Sequence, residues 1–263
     1  YVLRCFENDD ITHVEGKIDP IADLETVETE LMLADLESLD KRVTNLEKKA
    51  KGGDKDAKLT LELVLRAKTL LEDGKPARHT KRAPEEQKAF DMLQLLTALP
   101  VLYVCNVNEA DAAGGNDHTA RVQERATQEN AACDIICAQI EAEIAALSDE
   151  EQVEFLATVG LQEPGLTKLI HAGYDLLGLQ TYFTVGPKEA RAWTIQKGWT
   201  APQAAGVIHG DFEKGFIRAE TISYDDYITF KGETGAKEAG KMRLEGKDYI
   251  VREGDVMHFR FNA

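Results

Sequence analysis

The sequence predicts an α/β fold in which a partial parallel sheet is interrupted by a long helical hairpin and followed by a small mixed sheet. Three observations lead there. The run Pro100-Val101-Leu102-Tyr103-Val104-Cys105 is apolar throughout, as a parallel strand covered on both faces must be. Met32, Leu36, Leu39, Val43 and Leu46 recur at spacings of 4, 3, 4 and 3, the seam of a helix that faces one partner helix. Charge is also divided unevenly. The 263 residues hold 31 Lys+Arg and 47 Asp+Glu, a net −16, yet residues 179–263 hold 12 of each, so residues 1–178 carry all of it. That break marks at least two domains.

Taken in order, residues 1–6 alternate and run into the polar turn Glu7-Asn8-Asp9-Asp10, so the chain starts inside a β-strand. An edge strand needs neighbours to pair with. Few strand candidates precede the C-terminal region, and the expectation is that further sheet lies upstream. From Asp23 the pattern is helical. It breaks at Gly52-Gly53-Asp54 and resumes with Leu59, Leu63, Ala67 and Leu70, which predicts an antiparallel hairpin serving as a structural arm or docking surface. The loop Lys75-Pro76-Ala77-Arg78-His79-Thr80-Lys81-Arg82 is the densest basic cluster, read either as a solvated turn or as a phosphate-contacting patch. A helix over Glu85 to Thr97 then feeds the strand that ends on Asn106-Val107-Asn108-Glu109. A Glu- and Gln-rich helix follows, then a second apolar run, Asp134-Ile135-Ile136-Cys137-Ala138, and a helix starting near Glu141.

In the C-terminal region Tyr182–Val185, Ala190–Ile195 and Phe216–Ile222 read as strands, and Pro202–Ile208 as a short helix. Tyr249-Ile250-Val251, a turn, and Val256–Phe261 read as strand, turn, strand. A small mixed sheet holding one helix, as in the β-grasp, is the economical architecture. The expected division is 1–22, 23–84, 85–178 and 179–263.

Composition excludes several classes. With 43% hydrophobic and 30% charged residues the chain reads as globular. No apolar run approaches the ~20 residues of a membrane span, and Tyr1–Glu7 has no signal-peptide core, so the cytoplasm is the expected compartment. Cys5, Cys105, Cys133 and Cys137 lack paired Cys-x-x-Cys spacing and are expected as buried, reduced thiols. The six His residues show no metal-ligand spacing. The acidic balance repels polyanions at long range.

Open α/β sheets bind ligands just past the carboxyl ends of their parallel strands. Candidate residues there are Asn106, Val107, Asn108 and Glu109, with Cys137, Ala138 and Gln139 after the next strand. In Ras-like GTPases the corresponding strand end carries Asn-Lys-x-Asp, whose Asp accepts from guanine, and a Ser-Ala-Lys backs the base. Here the carboxylate of Glu109 is one methylene longer and Val107 replaces the Lys. A displaced acceptor leaves buried donors poorly paired at ~1–3 kcal/mol each, so guanine should not be strongly preferred. A phosphate loop needs Gly-x-x-x-x-Gly-Lys-Ser/Thr between strand and helix. The near match Gly235-Ala236-Lys237-Glu238-Ala239-Gly240-Lys241-Met242 lacks the hydroxyl and is followed by strand and turn, so it reads as a decoy loop. Trp193 and Trp199 read as packing residues. No catalytic residue and no metal ligand can be named.

These residues converge on a known family. The opening Arg4-Cys5-Phe6-Glu7-Asn8-Asp9-Asp10-Ile11-Thr12-His13-Val14-Glu15-Gly16-Lys17-Ile18-Asp19-Pro20 resembles the segment after the third GTPase motif of YchF/Obg-like ATPases. Asn106-Val107-Asn108-Glu109 resembles their variant base-recognition motif. Arg191-Ala192-Trp193-Thr194, Ala201-Pro202-Gln203-Ala204-Ala205-Gly206 and Asp211-Phe212-Glu213-Lys214-Gly215-Phe216-Ile217-Arg218-Ala219-Glu220 are similar to the family's C-terminal part. The resemblance implies a partial Ras-like G domain, a coiled-coil insertion, and a β-grasp module of the TGS type. It also implies hydrolysis of ATP in preference to GTP, dependence on Mg²⁺, and a translation role through the ribosome, its large subunit or that subunit's RNA, with neither membrane nor DNA as partner. The P-loop, switch regions and Asp-x-x-Gly motif are missing from these residues, and Cys137-Ala138-Gln139 departs from Ser-Ala-Lys. The expectation is therefore a chain that lacks the phosphate-binding segment and is inactive alone. The competing readings are a non-catalytic adaptor and an RNA-binding protein acting through its C-terminal domain.

Overall fold

The computed structural model describes residues 1–8 and 17–262, so Asp9–Gly16 of the opening motif lies outside the described residues. Two compact units, residues 1–172 and 173–263, make up the chain.

In the first unit β1 (Val2–Arg4), β2 (Leu102–Asn106) and β3 (Ala132–Ile136) form a parallel sheet in the order β1-β2-β3. Leu3 lies opposite Cys105, and Cys105 opposite Ile135. Within the described sheet the neighbour of the opening strand is β2, about a hundred residues further along this chain.

Helices α1 (Pro20–Lys51) and α2 (Lys55–Glu72) form the hairpin. Asp19 caps α1 by accepting from the Ala22 N–H at 3.4 Å, Pro20 supplies a preset first turn, and Lys48, Lys49 and Lys51 occupy the last turn, where the helix dipole favours cations. Asp54 caps α2 through the N–H groups of Asp56 and Ala57, both at 3.0 Å. Leu39, Leu63, Val64, Ala67 and Leu71 are buried between them, with Met32, Leu36, Val43, Leu46 and Leu59 alongside. The seam is the one the spacing predicts except at its end, where Leu71 and not Leu70 is buried.

The single helix expected over Glu85 to Thr97 is broken. A 3₁₀ turn (Pro84–Glu86), α3 (Gln87–Asp91), a left-handed Gln94 (φ 53°) and a second 3₁₀ turn (Leu96–Ala98) take its place. The cause is a buried carboxylate on α1. Asp35 accepts from the N–H of Leu96 and of Thr97, both at 2.8 Å, and from the Thr97 hydroxyl at 2.6 Å. An unbroken helix could not aim those donors at one acid while placing Phe90, Leu93 and Leu95 in the hairpin core.

Helices α4 (Asp117–Glu129), α5 (Ala138–Ile144), α6 (Asp149–Thr158) and α7 (Gly165–Leu176) follow. Leu3, Cys5, Tyr103, Cys105, Val122 and Ile140 belong to the core around the sheet. All four cysteines are free thiols, Cys133 half-buried and the rest buried.

The second unit is a five-stranded mixed sheet in the order β5-β4-β8-β6-β7, from β4 (Leu179–Val185), β5 (Ala190–Gln196), β6 (Phe216–Ser223), β7 (Arg243–Glu245) and β8 (Asp255–Phe261). β4 and β8 run parallel. Helix α8 (Ala201–Ile208) sets Ala201, Ala204 and Ala205 against Tyr182, Phe216, Met257 and Phe259. The Tyr182 hydroxyl donates to the Ala204 carbonyl at 2.9 Å. Trp193 and Trp199 pack against this core. Residues 249–251 do not form the expected strand; Ile250 makes one isolated bridge to Thr200.

Short helices α9 (Gly210–Lys214), α10 (Tyr224–Thr229) and α11 (Glu233–Glu238) complete the unit. The first half of the glycine-rich near match, Gly235 to Glu238, is therefore helix, and only its second half is turn. Gly235 is dictated by packing, since a Cβ there would overlap the Phe230 carbonyl oxygen.

Candidate functional site

Because β2 and β3 are parallel with Asn106 opposite Ile136, the residues that follow both strands emerge side by side. One residue more of ladder is added by the Val107 N–H, which donates to the Ile136 carbonyl at 2.9 Å. The Asn106 side-chain oxygen accepts from the Ala138 N–H at 3.0 Å. This brace satisfies one orphan donor at the start of α5, for which Cys137 provides no side-chain cap.

The seven candidate residues then divide by direction. Val107 and Cys137 are buried in the sheet core, so their side chains face away from a ligand at the strand ends. Asn108, Glu109, Ala138 and Gln139 are exposed. Asn108 heads a 3₁₀ turn over Glu109–Asp111, its carbonyl accepting the Asp111 N–H at 3.0 Å. Two amides and a carboxylate are therefore presented at the carboxyl edge of the sheet, held by the Asn106 brace beneath them.

A cleft of about 420 Å³ opens beside Asn108, with Phe6, Glu7, Asp111 and His118 among its walls. Asn116 organises it. Its amide donates to the Cys5 carbonyl and to Asp111, both at 2.8 Å, while its oxygen caps α4 through the N–H groups of His118 (3.0 Å) and Thr119 (3.1 Å). Sequence reasoning passed over Asn116, although Asn before Asp117-His118-Thr119 is a helix-start signal.

At the far end of α4, beside the start of β2, lies a buried charge network that sequence reasoning also missed. The Tyr103 hydroxyl donates to Glu129 at 2.6 Å. Arg78 donates to Glu28 at 2.7 Å and to Glu129 at 3.2 Å, and Arg125 pairs with Glu129 and Glu28. Burial pushes the Glu129 carboxyl up, but the Tyr103 hydroxyl, Arg125 and Arg78 outweigh it and hold it below the ordinary range. Burial, and then the Glu129 carboxylate, push the Tyr103 phenol far up. The network ties α1 (Glu28) and the loop after the hairpin (Arg78) to the strand that carries the site.

It also revises the basic loop. Arg78 is committed to Glu28 and Glu129. Arg82 stacks on the Phe90 ring at 4.5 Å and donates to the Thr80 carbonyl and to Gln87. Only Lys75 and Lys81 of the four expected cations are exposed. Among the described residues, no three His, Cys, Asp or Glu side chains gather as metal ligands would.

A parallel sheet with polar groups assembled just beyond its strand ends, a helical hairpin inserted between two of those strands, and a separate mixed-sheet unit define a modular α/β protein of the nucleotide-binding kind. Residues 179–262 match the YchF-GTPase_C family, described as a protein of unknown function (DUF933). The sequence is 58% identical over 263 residues to the ribosome-binding ATPase YchF of Haemophilus ducreyi, covering 100% of this chain and 72% of that protein. It is 53% identical to the ribosome-binding ATPase YchF of Bacillus subtilis, with the same coverage. A structure of the Schizosaccharomyces pombe YchF GTPase superposes with a TM-score of 0.82 at 33% identity, covering 98% of this chain and 71% of that one. The chain belongs to the YchF family of nucleotide hydrolases.

Proposed function

We propose that this chain supplies the base-recognition side and the appended modules of an ATP-binding, ATP-hydrolysing protein that binds ribosomes and regulates translation or the stress response. The supporting observation is the Asn106–Ala138 brace, which fixes Asn108, Glu109 and Gln139 together at the strand ends, in a chain whose relatives are named ribosome-binding ATPases. The donor set fits a purine. The Glu109 carboxylate and the two amides can accept from the adenine amino group and donate to a ring nitrogen, and ATP is favoured over GTP because Glu109 is displaced from where an Asp acceptor for guanine would sit. Mg²⁺ belongs with the phosphates, whose charge it neutralises when bound; no ligand for it is assigned here.

The proposed division is a G-domain part (1–22), a coiled-coil insertion (23–84), the remaining G-domain part with the base site (85–178) and a TGS-like β-grasp domain (179–263). Its partner is the ribosome, through the large subunit or its RNA, in the cytoplasm, with no role at membranes or on DNA. No helix among the described residues is long and apolar enough to cross a membrane. The charge-balanced residues 179–263 are better suited to an RNA-rich partner than residues 1–178, which carry the −16. Hydrolysis by these 263 residues alone should be at background, since the one glycine-rich near match begins inside a short helix, where Gly235 is required by packing.

Amide NMR tests the base site. ATP titrated into the chain should shift the Asn108, Glu109, Ala138 and Gln139 signals, with GTP giving smaller shifts. Shifts centred elsewhere, or equal for both, would refute it. The rival reading, a non-catalytic ribosome or RNA adaptor, is favoured if ribosomes co-sediment with the chain while these signals stay still under both nucleotides.

A further inference from the structure

A cleft of about 610 Å³ lies between the distal part of the hairpin and the segment 85–93 that returns along it. Leu46 and Leu59, half-buried, and Leu93, buried, give it an aliphatic floor, and Met92, 72% exposed, stands at its lip. Around the rim stand Arg42, Lys49 and Lys88. Their neighbour Lys41 is tied to Glu37 at 2.6 Å, but among the described residues these three make no ion pair. Only Asp56 and Glu85 oppose them along the lining. This cation-rich rim sits in the part of the chain that carries the whole −16.

We propose that this cleft docks an acidic amphipathic helix of a protein partner. An aliphatic trough edged by unpaired cations complements a helix with apolar residues at i, i+3, i+4 and i+7 and carboxylates on the flanks. From Lys41 to Lys49 the lining follows α1 for about 12 Å, or roughly two turns of a docked helix. A nucleic acid is the poorer fit. No aromatic ring lines the cleft to stack a base, and a phosphate backbone would leave the leucine floor unused. The apolar face supplies affinity, and the three cations select acidic over basic helices and steer association. The proposal does not depend on the base site.

The test uses the full chain and a labelled synthetic helix of roughly 16 residues, long enough to hold helical structure when bound, with Leu on one face and Glu on the other. Fluorescence anisotropy should show saturable binding that weakens with salt. Arg42→Glu with Lys88→Glu should weaken it at least about tenfold, and Met92→Asp, which keeps the cations, should weaken it too. Lys214→Glu with Lys247→Glu, the same charge change on exposed residues of the second unit, should leave it unchanged. Circular dichroism should be unaltered in every variant, because the substituted side chains are partly or fully exposed and unpaired. The proposal is overturned if no saturable binding occurs, if the two cleft variants bind like the parent, or if a Lys-for-Glu peptide or an RNA duplex competes more strongly than the acidic helix.

Discussion

Replacing Arg78 by Ala should unfold residues 1–172 more easily than any substitution at the exposed cations of the same loop. Arg78 is 13% exposed in its side chain and bridges Glu28 (5%) and Glu129 (14%). Its loss leaves Glu28 with Arg125 at 3.5 Å as a weaker partner, while Glu129 keeps Arg125 and Tyr103. Stranding one member of a buried pair costs ~3–5 kcal/mol. One Arg78 nitrogen is itself buried without a partner, which already burdens the parent, so the lower end, ~3 kcal/mol, is the expected loss. The pH dependence has a definite sign. In the parent the Glu129 carboxyl lies below its ordinary value, so its stabilisation is full above the unfolded pKa and is lost as pH falls through the folded one. In the variant Glu129 loses the Arg78 attraction and keeps Tyr103 and Arg125, so its carboxyl is lowered less and its charged form contributes less. The gap between parent and variant should therefore be largest near neutrality and shrink in mild acid. Urea denaturation followed by far-UV circular dichroism, at neutral pH and near the carboxylate range, measures both. Adding Glu28→Gln to Arg78→Met should recover most of the loss. A single variant within about 0.5 kcal/mol of the parent, the range of ordinary surface changes, would refute the reading of this network as buried and coupled.

Asp35→Ala should cost about 2–4 kcal/mol by leaving the Leu96 and Thr97 donors unpaired, and hydrogen exchange at those two amides should quicken first. Val107→Lys should destabilise by several kcal/mol, because it drives an ammonium into the sheet core; a melting temperature unchanged by it would show that the side chain faces the ligand. Asn106→Ala should cost only ~1 kcal/mol in stability, since water can reach the exposed Ala138 N–H, while weakening the ATP-induced shift at Asn108 and Glu109. Lys75→Ala with Lys81→Ala should flatten the salt dependence of ribosome pelleting by no more than about two phosphate contacts, each worth ~0.7–0.9 in slope.

The hairpin seam was legible because helical neighbours lie three and four residues apart, so Met32 to Leu46 and Leu59 to Ala67 declare their shared face locally, while the last position, Leu71 in place of Leu70, was misread. Strand β2 was legible for a similar reason, as six successive apolar residues suit only a strand covered on both sides. The position of Asn106–Glu109 past a strand end followed directly. What the seven candidates do there did not. Val107 and Cys137 turn inward, and Asn106 reaches the Ala138 N–H, only because β2 and β3 pair in one particular register. A register is a relation between residues some thirty apart, with no local trace.

The same division holds across the chain. By itself the sequence determined the apolar runs, the hairpin break at Gly52-Gly53-Asp54, the charge break near residue 179 and the free, largely buried cysteines, all properties of near neighbours and residue types. Only the tertiary structure decided that the opening strand pairs with β2, that Asp35 breaks the helix before that strand, that Arg78 is an internal counter-ion and not a surface cation, and that Gly235 is required by the close approach of the Phe230 carbonyl. Each of these rests on which distant groups share a low-dielectric space, where an unpaired donor or charge is costly and its partner is therefore chosen by proximity in the fold and not along the chain.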